Sequence, residues 1–224
     1  MLIVVEGLDG SGKSTQVRKL REYLEKSQKR LEYIHFPRYD APVYGELIGK
    51  FLRGGFGDIN SVNPQFVALL FAEDRHLACP QMRKTLEEGG TVLLDRYVYS
   101  NIAYQCAKVS DPAERENLRH WIIETEYGDF NLPVPDLNLF LDSPIGFVEE
   151  KLSHKRGGKD RQYLEGKEDI HESDINFQKK VRDLYIEQTK EDPDFTLIDC
   201  SDGKGAMLPQ DSIFAKITQA VEGI

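Results

Sequence analysis

The sequence has little of what stabilises small secreted or membrane-bound chains. Cysteine is scarce: Cys79, Cys106 and Cys200 are odd in number, scattered, and form no Cys-x-x-Cys pair. That argues against a disulfide framework or a cysteine zinc site and suits a reducing compartment. No apolar run approaches the ~20 residues that a membrane-spanning helix needs. The opening run, Leu2 to Val5, is too short for a secretory signal and has no basic stretch before it. Positive charge is in deficit too, with 29 Lys and Arg against 38 Asp and Glu and a formal net charge of −9. This argues against a nucleic-acid polymer as the main ligand but leaves room for small anions, which need only a local basic pocket. No repeat, low-complexity tract or dividing linker interrupts the 224 residues, which predicts a single domain over 1–224. The shares of 40% hydrophobic and 30% charged are ordinary for a soluble enzyme, and the scattered cysteines with no signal or membrane-length run lead to the expectation of a cytoplasmic protein.

What is present begins at the first strand. Leu2 to Val5 is a short β-branched run, followed by Gly7-Leu8-Asp9-Gly10-Ser11-Gly12-Lys13-Ser14-Thr15. This fits the phosphate-loop pattern Gly-x-x-x-x-Gly-Lys-Ser/Thr, which asks for a strand before it and a helix after it. The helix is announced by Val17, Leu20 and Leu24 at helical spacing. Glycines let successive backbone N–H groups face phosphate oxygens, and the helix start adds its positive end. Lys13 is then expected at the β- and γ-phosphates, and the Ser14 hydroxyl at Mg²⁺.

Further strands are expected at 31–36, 91–94, 137–141 and 195–198, the second of these (91–94) almost wholly apolar and ending in Asp95. Helices are expected over 43–52, 64–86, 97–107, 111–126, 145–152, 170–190 and 212–221, with a kink or break at Pro80. Strands alternating with helices give an α/β fold, a three-layer sandwich around a parallel five-stranded sheet, with ligands at the carboxyl ends of the strands.

Four groups of residues carry candidate chemistry. An apolar strand ending in Asp95 is how many phosphate-loop proteins hold Mg²⁺, and Arg96 beside it can clamp a phosphate with two parallel bonds. Phe71 and Arg75, four apart, share a helix face and offer a flat base a ring and a guanidinium. Ser100, Asn101, Tyr104 and Gln105 follow Asp95-Arg96 on one helix, where Asn101 and Tyr104 can meet the same ligand. The basic, glycine-rich segment with Lys155, Arg156, Lys159 and Arg161 suits a lid, about 154–170, that closes over a transferring phosphate.

Together these pieces resemble the thymidylate kinases, of the nucleoside-monophosphate kinase group of phosphate-loop kinases. The resemblance rests on Glu6 to Thr15, Phe36-Pro37-Arg38-Tyr39, Leu70 to Arg75, Asp95 to Gln105, Pro135-Asp136-Leu137 and the basic lid. It implies that ATP lies on Gly7 to Thr15, that dTMP is the acceptor, and that Mg²⁺ is held at Ser14 and Asp95. Phe71 would stack on thymine, with Arg75 near the base and Asn101 bonding its edge. Tyr104 would pack under the deoxyribose, and Asp9 would face the sugar hydroxyl. Arg96, with Arg38 or Tyr39, would hold the acceptor phosphate; Phe36, Ser100 and Gln105 complete that site. Lys13, Asp9, Arg96 and the lid cations Arg156, Lys159 and Arg161 would serve catalysis, because Gly10 and Ser11 bring no cation to the phosphate loop. His171 falls near where some relatives carry tyrosine. The resemblance also implies a homodimer.

A phosphate monoester, with a second pKa near ~6, is largely dianionic at neutral pH and needs no general base. What such a reaction needs is positioning and charge neutralisation. Alternative readings are a kinase for another nucleoside monophosphate or a deoxynucleoside, or a nucleotide-hydrolysing switch or motor. A nucleoside acceptor leaves Arg96 without its role, and the Asn-Lys-x-Asp motif of a GTPase switch is absent.

Overall fold

The computed structural model describes residues 1–26, 30–154, 163–167, 169–172 and 174–224. Its centre is a sheet of five strands, β1 (Leu2–Gly7), β2 (Leu31–His35), β3 (Thr91–Asp95), β4 (Leu137–Asp142) and β5 (Phe195–Asp199). The order is β2-β3-β1-β4-β5 and every pairing is parallel. β1 lies in the middle and is buried along its whole length. Its alternation splits the core in two. Leu2 and Val4 join Val92, Leu94 and Phe140 on one face, while Ile3 and Val5 join Leu93, Leu139 and Leu141 on the other.

The second face is covered by α1 (Lys13–Glu25) and α8 (Gln210–Val221), which supply Val17, Leu20, Ile213 and Ile217. The first is covered by α3 (Pro64–Glu87), α4 (Val98–Cys106), α5 (Pro112–Ile123) and α7 (Ile175–Glu191). Two further nine-residue helices, α2 (Tyr44–Leu52) and α6 (Ile145–Ser153), are the remaining α-helices among the described residues. Ile48, Phe51 and Leu52 of α2 form a separate small cluster with Val67 of α3. The parallel five-stranded sheet flanked by helices is the fold expected from the sequence.

Three boundaries differ from the expectation. No break occurs at Pro80, since α3 runs through it. Proline there frees the carbonyl of residue 76, and both positions are exposed, so water can satisfy it. The helix expected from 170 starts at Ile175 because Asp174 caps it, its side chain accepting from the Asn176 N–H at 2.8 Å. The helix expected over 111–126 is α-helical only to Ile123 and continues as a π-helical stretch, Glu124–Asp129.

Candidate active site

The phosphate loop leaves β1 and enters α1 through two left-handed residues, Gly10 (φ 75) and Gly12 (φ 83), a conformation that glycine adopts without steric cost. Among the described residues no side chain caps the start of α1, which leaves the helix terminus to an anion. Ser143, just after β4, donates its hydroxyl to the Ser11 carbonyl at 2.8 Å and so ties the loop to the neighbouring strand. Lys13 is buried and paired with Asp95 at the end of β3. Burial pulls the Lys13 ammonium below its usual pKa, and Asp95 opposes that pull. Burial likewise works against the Asp95 charge, but Lys13 and His35 hold its carboxyl far below the usual carboxylate range. His35 Nδ1 lies 3.2 Å from Asp95 Oδ2. Ser14 is exposed at the first turn of α1.

Arg96 follows Asp95 in the left-handed region, φ 71, which is costly for a residue with a Cβ. The turn is held from both sides. Arg96 N–H donates to the Val5 carbonyl at 3.0 Å. The next N–H, that of Tyr97, donates to Glu6 Oε1 at 2.8 Å. Glu6, fully buried at the end of β1, also accepts from the Ser100 N–H at 3.2 Å, the Ser100 hydroxyl at 2.5 Å and the Tyr185 hydroxyl at 2.9 Å. It therefore caps α4 from a different element. The turn aims the Arg96 guanidinium at Asp9, with Nη2 at 2.6 Å from Oδ1, and at Ser100 Oγ, 3.1 Å from Nη1. Tyr104 closes the triangle, donating to Asp9 Oδ2 at 2.7 Å, with the guanidinium over its ring at 5.1 Å.

Beside this triangle lies an open cleft, about 510 Å³ when the solvent-exposed space at its mouth is included. Phe71 and Arg75 line it from α3, and Ser100, Asn101, Tyr104 and Gln105 from α4. Phe36 and Tyr39 enter from the segment after β2, where the Phe36–Pro37 peptide is cis. That segment can lie against α2 because residue 45 is glycine: a Cβ there would sit 2.4 Å from the Arg38 carbonyl oxygen. The structure thus gathers in one cleft, with Asp9 and Arg96, every residue expected around the acceptor except Arg38. The Arg38 guanidinium turns to α3 instead, donating to Asp74 Oδ1 at 3.0 Å and the Asp74 carbonyl at 2.6 Å, and it lines an adjoining groove that shares Pro37, Tyr39 and Tyr163 with the cleft.

The cleft also contains Tyr163 and Asp169, which the sequence reading missed, and His171, which it named without a role. Tyr163 stacks on Tyr39 with ring centroids 3.7 Å apart and donates to Asp169 Oδ2 at 2.7 Å. Asp169 is buried, and burial, then the charges of Asp9 and Glu172, push its carboxyl up to about 7. His171 packs against Tyr104 and Phe177, and burial drives its pKa well down, so it is neutral. Glu6 carried a readable signal, a lone carboxylate in a buried strand. Glu126, which pairs with Arg75, carried none. Of the expected lid cations, Lys155, Arg156, Lys159 and Arg161 all lie outside the described residues.

The thymidylate kinase family model matches residues 5–208. The chain belongs to the thymidylate kinase family. It is 32% identical over 188 residues to the thymidylate kinase of Mycobacterium tuberculosis (strain CDC 1551 / Oshkosh), covering 84% of this chain and 85% of that one. It is 34% identical over 207 residues to the thymidylate kinase of Bifidobacterium longum subsp. infantis, covering 90% and 79%. The solved structure of the thymidylate kinase from Candida albicans superposes with a TM-score of 0.73 at 29% identity, covering 99% of this chain and 91% of that one. Thymidylate kinases are nucleoside-monophosphate kinases of the phosphate-loop fold. The family match spans the phosphate loop, the Asp95-Arg96 turn and every wall of the cleft. No described helix is long and apolar enough to cross a membrane.

Proposed function

We propose that the protein transfers the γ-phosphate of ATP to dTMP, giving ADP and dTDP. The observation that carries this reading is the Asp9–Arg96–Tyr104 triangle, which joins the phosphate loop on one side to an aromatic-lined cleft on the other. A partly exposed guanidinium between a triphosphate site and an aromatic-lined cleft is where an acceptor phosphate is needed. A nucleoside or water as acceptor gives it no task.

Among the described residues no group of three or more His, Cys, Asp or Glu could hold a metal unaided. The residues fit Mg²⁺ that arrives already chelated by the triphosphate, held at the exposed Ser14 hydroxyl and near the ionised Asp95. When bound, the ion neutralises charge developing on the transferring phosphoryl group. The protein's own part is positioning. Lys13 and the α1 terminus hold the donor phosphates, and Arg96 with Tyr39 holds the acceptor phosphate. Phe71 and Tyr104 hold base and sugar. Gly10 and Ser11 carry no charge, which supports assigning the remaining cation to Arg156, Lys159 or Arg161 of the lid within a single 1–224 domain. Phe66 and Leu77, eleven apart and so on one face of α3, are 69% and 53% exposed, which supports a homodimer.

An ADP-release assay across dTMP, dUMP, dCMP, dGMP, dAMP and UMP tests the reading. dTMP is expected among the best acceptors, with little ADP formed in its absence. Acceptor-independent ATP consumption refutes the kinase assignment and favours a switch or motor. Another preferred base refutes only the choice of dTMP.

A further inference from the structure

Asn101 lines the cleft and is 3% exposed, with its amide held unevenly. Nδ2 donates to the Ala68 carbonyl at 3.0 Å and to Glu126 Oε1 at 2.8 Å. Oδ1 is buried and meets no partner among the described residues. Turning the amide over would set Oδ1 against a carbonyl and a carboxylate, both acceptors, so the surroundings allow one orientation. Glu126 is itself immobilised. It is fully buried and takes Arg75 Nε at 2.5 Å and Nη2 at 2.7 Å, fork against fork. The π-helical stretch that carries Glu126 is a local irregularity of the kind that recurs at functional sites.

We infer that Glu126 is a positioning residue that sets the base selectivity of the cleft by fixing the Asn101 amide with Oδ1 as its free acceptor. The inference rests on the reading of the cleft as a nucleoside-monophosphate site. A free, buried acceptor calls for a donor on the ligand. The ring N–H of an imide base, thymine or uracil, supplies one. Cytosine presents a bare ring nitrogen at the same place, so two acceptors face each other and both stay unpaired in a dry site. An unpaired polar pair of this kind is what lets a hydrogen-bonding pocket reject near-isosteres strongly.

The test compares dTMP with 5-methyl-dCMP, which keeps the methyl group and replaces the imide edge. The wild-type protein is expected to prefer dTMP in kcat/KM by about 10²-fold or more. In Glu126→Gln one of the two oxygens becomes a donor, and the single oxygen left must serve both the Arg75 guanidinium and Asn101 Nδ2, so the Asn101 amide is no longer held in place. The preference is expected to shrink by about tenfold or more, with KM for dTMP rising and KM for ATP unmoved. Side-chain amide exchange of Asn101, followed by NMR, supplies a second readout: slow in the free wild-type protein and faster in the variant. Fast exchange in the wild-type protein overturns the inference. So does a narrowed preference with the Asn101 amide still protected, because selectivity then runs through Arg75 alone. Should Glu126→Gln not fold, Glu126→Asp keeps the charge opposite Arg75 while drawing back from Asn101, and the wild-type exchange rate decides without any variant. A wild-type protein that ignores dTMP refutes the functional reading; one that uses dTMP and 5-methyl-dCMP alike refutes this inference only.

Discussion

Asp9, from the loop after β1, and Arg96, from the turn after β3, meet at 2.6 Å where the phosphate loop opens into the cleft. The carboxylate beside the triphosphate site thereby serves as an anchor for a cation. It orients the guanidinium without neutralising all of its donors, and Nη1 reaches Ser100 from the same plane. Arg96→Lys keeps the charge, but a single ammonium cannot span Asp9, Ser100 and Tyr104 together. Losing one charge-assisted hydrogen bond costs about 1.5–3 kcal/mol, so kcat/KM for dTMP is expected to fall by roughly ten- to 150-fold with KM for ATP little changed. A loss confined to ATP would place Arg96 on the donor side.

Phe71 lines the cleft from α3, on the same helix face as Arg75. Truncating an aromatic ring on which a base stacks costs about 1–3 kcal/mol. Phe71→Ala is accordingly expected to weaken dTMP binding by that amount in calorimetry, leaving binding of an ATP analogue unchanged. If dTMP binds as tightly as before, the base lies elsewhere in the cleft.

Glu6 holds the turn that aims Arg96. It accepts from two backbone N–H groups and two hydroxyls. In Glu6→Gln one of the two oxygens becomes a donor, which cannot accept from both Ser100 and Tyr185. The variant is expected to be less stable by about 1–3 kcal/mol in urea unfolding and to have a raised KM for dTMP. A normal midpoint and a normal KM would show that the strained Arg96 backbone is held by the Val5 carbonyl alone.

The order of strands and helices was legible in the sequence because β1, β3 and β4 are short apolar runs ended by charged or glycine residues, and the helices have clear apolar spacing. The phosphate loop, the Asp95-Arg96 turn and the Phe71/Arg75 pair were legible for the same reason, since each is a local pattern. The parts that were not legible depend on partners far apart in the chain. Glu126 is 51 residues from Arg75, and Glu6 is 94 from Ser100. A carboxylate looks solvated until its buried partner is known. Pro80 misled in the opposite sense: its local cost is real, but an exposed carbonyl at residue 76 lets water absorb it. Arg38 sat in the expected tetrapeptide, yet Asp74, from another helix, determines where its guanidinium goes.

Asp169 gives the protein a pH dependence whose sign can be worked out. Its carboxyl is 5% exposed, accepts from the Tyr163 hydroxyl at 2.7 Å and from the His171 N–H at 2.8 Å, and is pushed from 3.8 to about 7, first by burial. Between those values the folded chain keeps a proton that the unfolded chain has lost. Stability therefore falls as pH rises from about 4 to about 7, and above that the buried anion exerts its full penalty. Lys108, pulled down to about 7 by burial, acts in the opposite sense, but only from about pH 7 up to its ordinary 10.5. Asp169→Asn preserves the acceptor for His171 and removes the charge. At ~1.36 kcal/mol per pKa unit, the variant is expected to be more stable than the wild type at pH 8, by up to about 4 kcal/mol. The gap should narrow to about 1.6 kcal/mol at pH 5 and close near pH 4, where the carboxyl is protonated in the unfolded chain as well. Thermal unfolding of both proteins at pH 5, 6.5 and 8 checks this, and a gap that is absent at pH 8 or that widens on acidification would show that the Asp169 anion is stabilised where it lies.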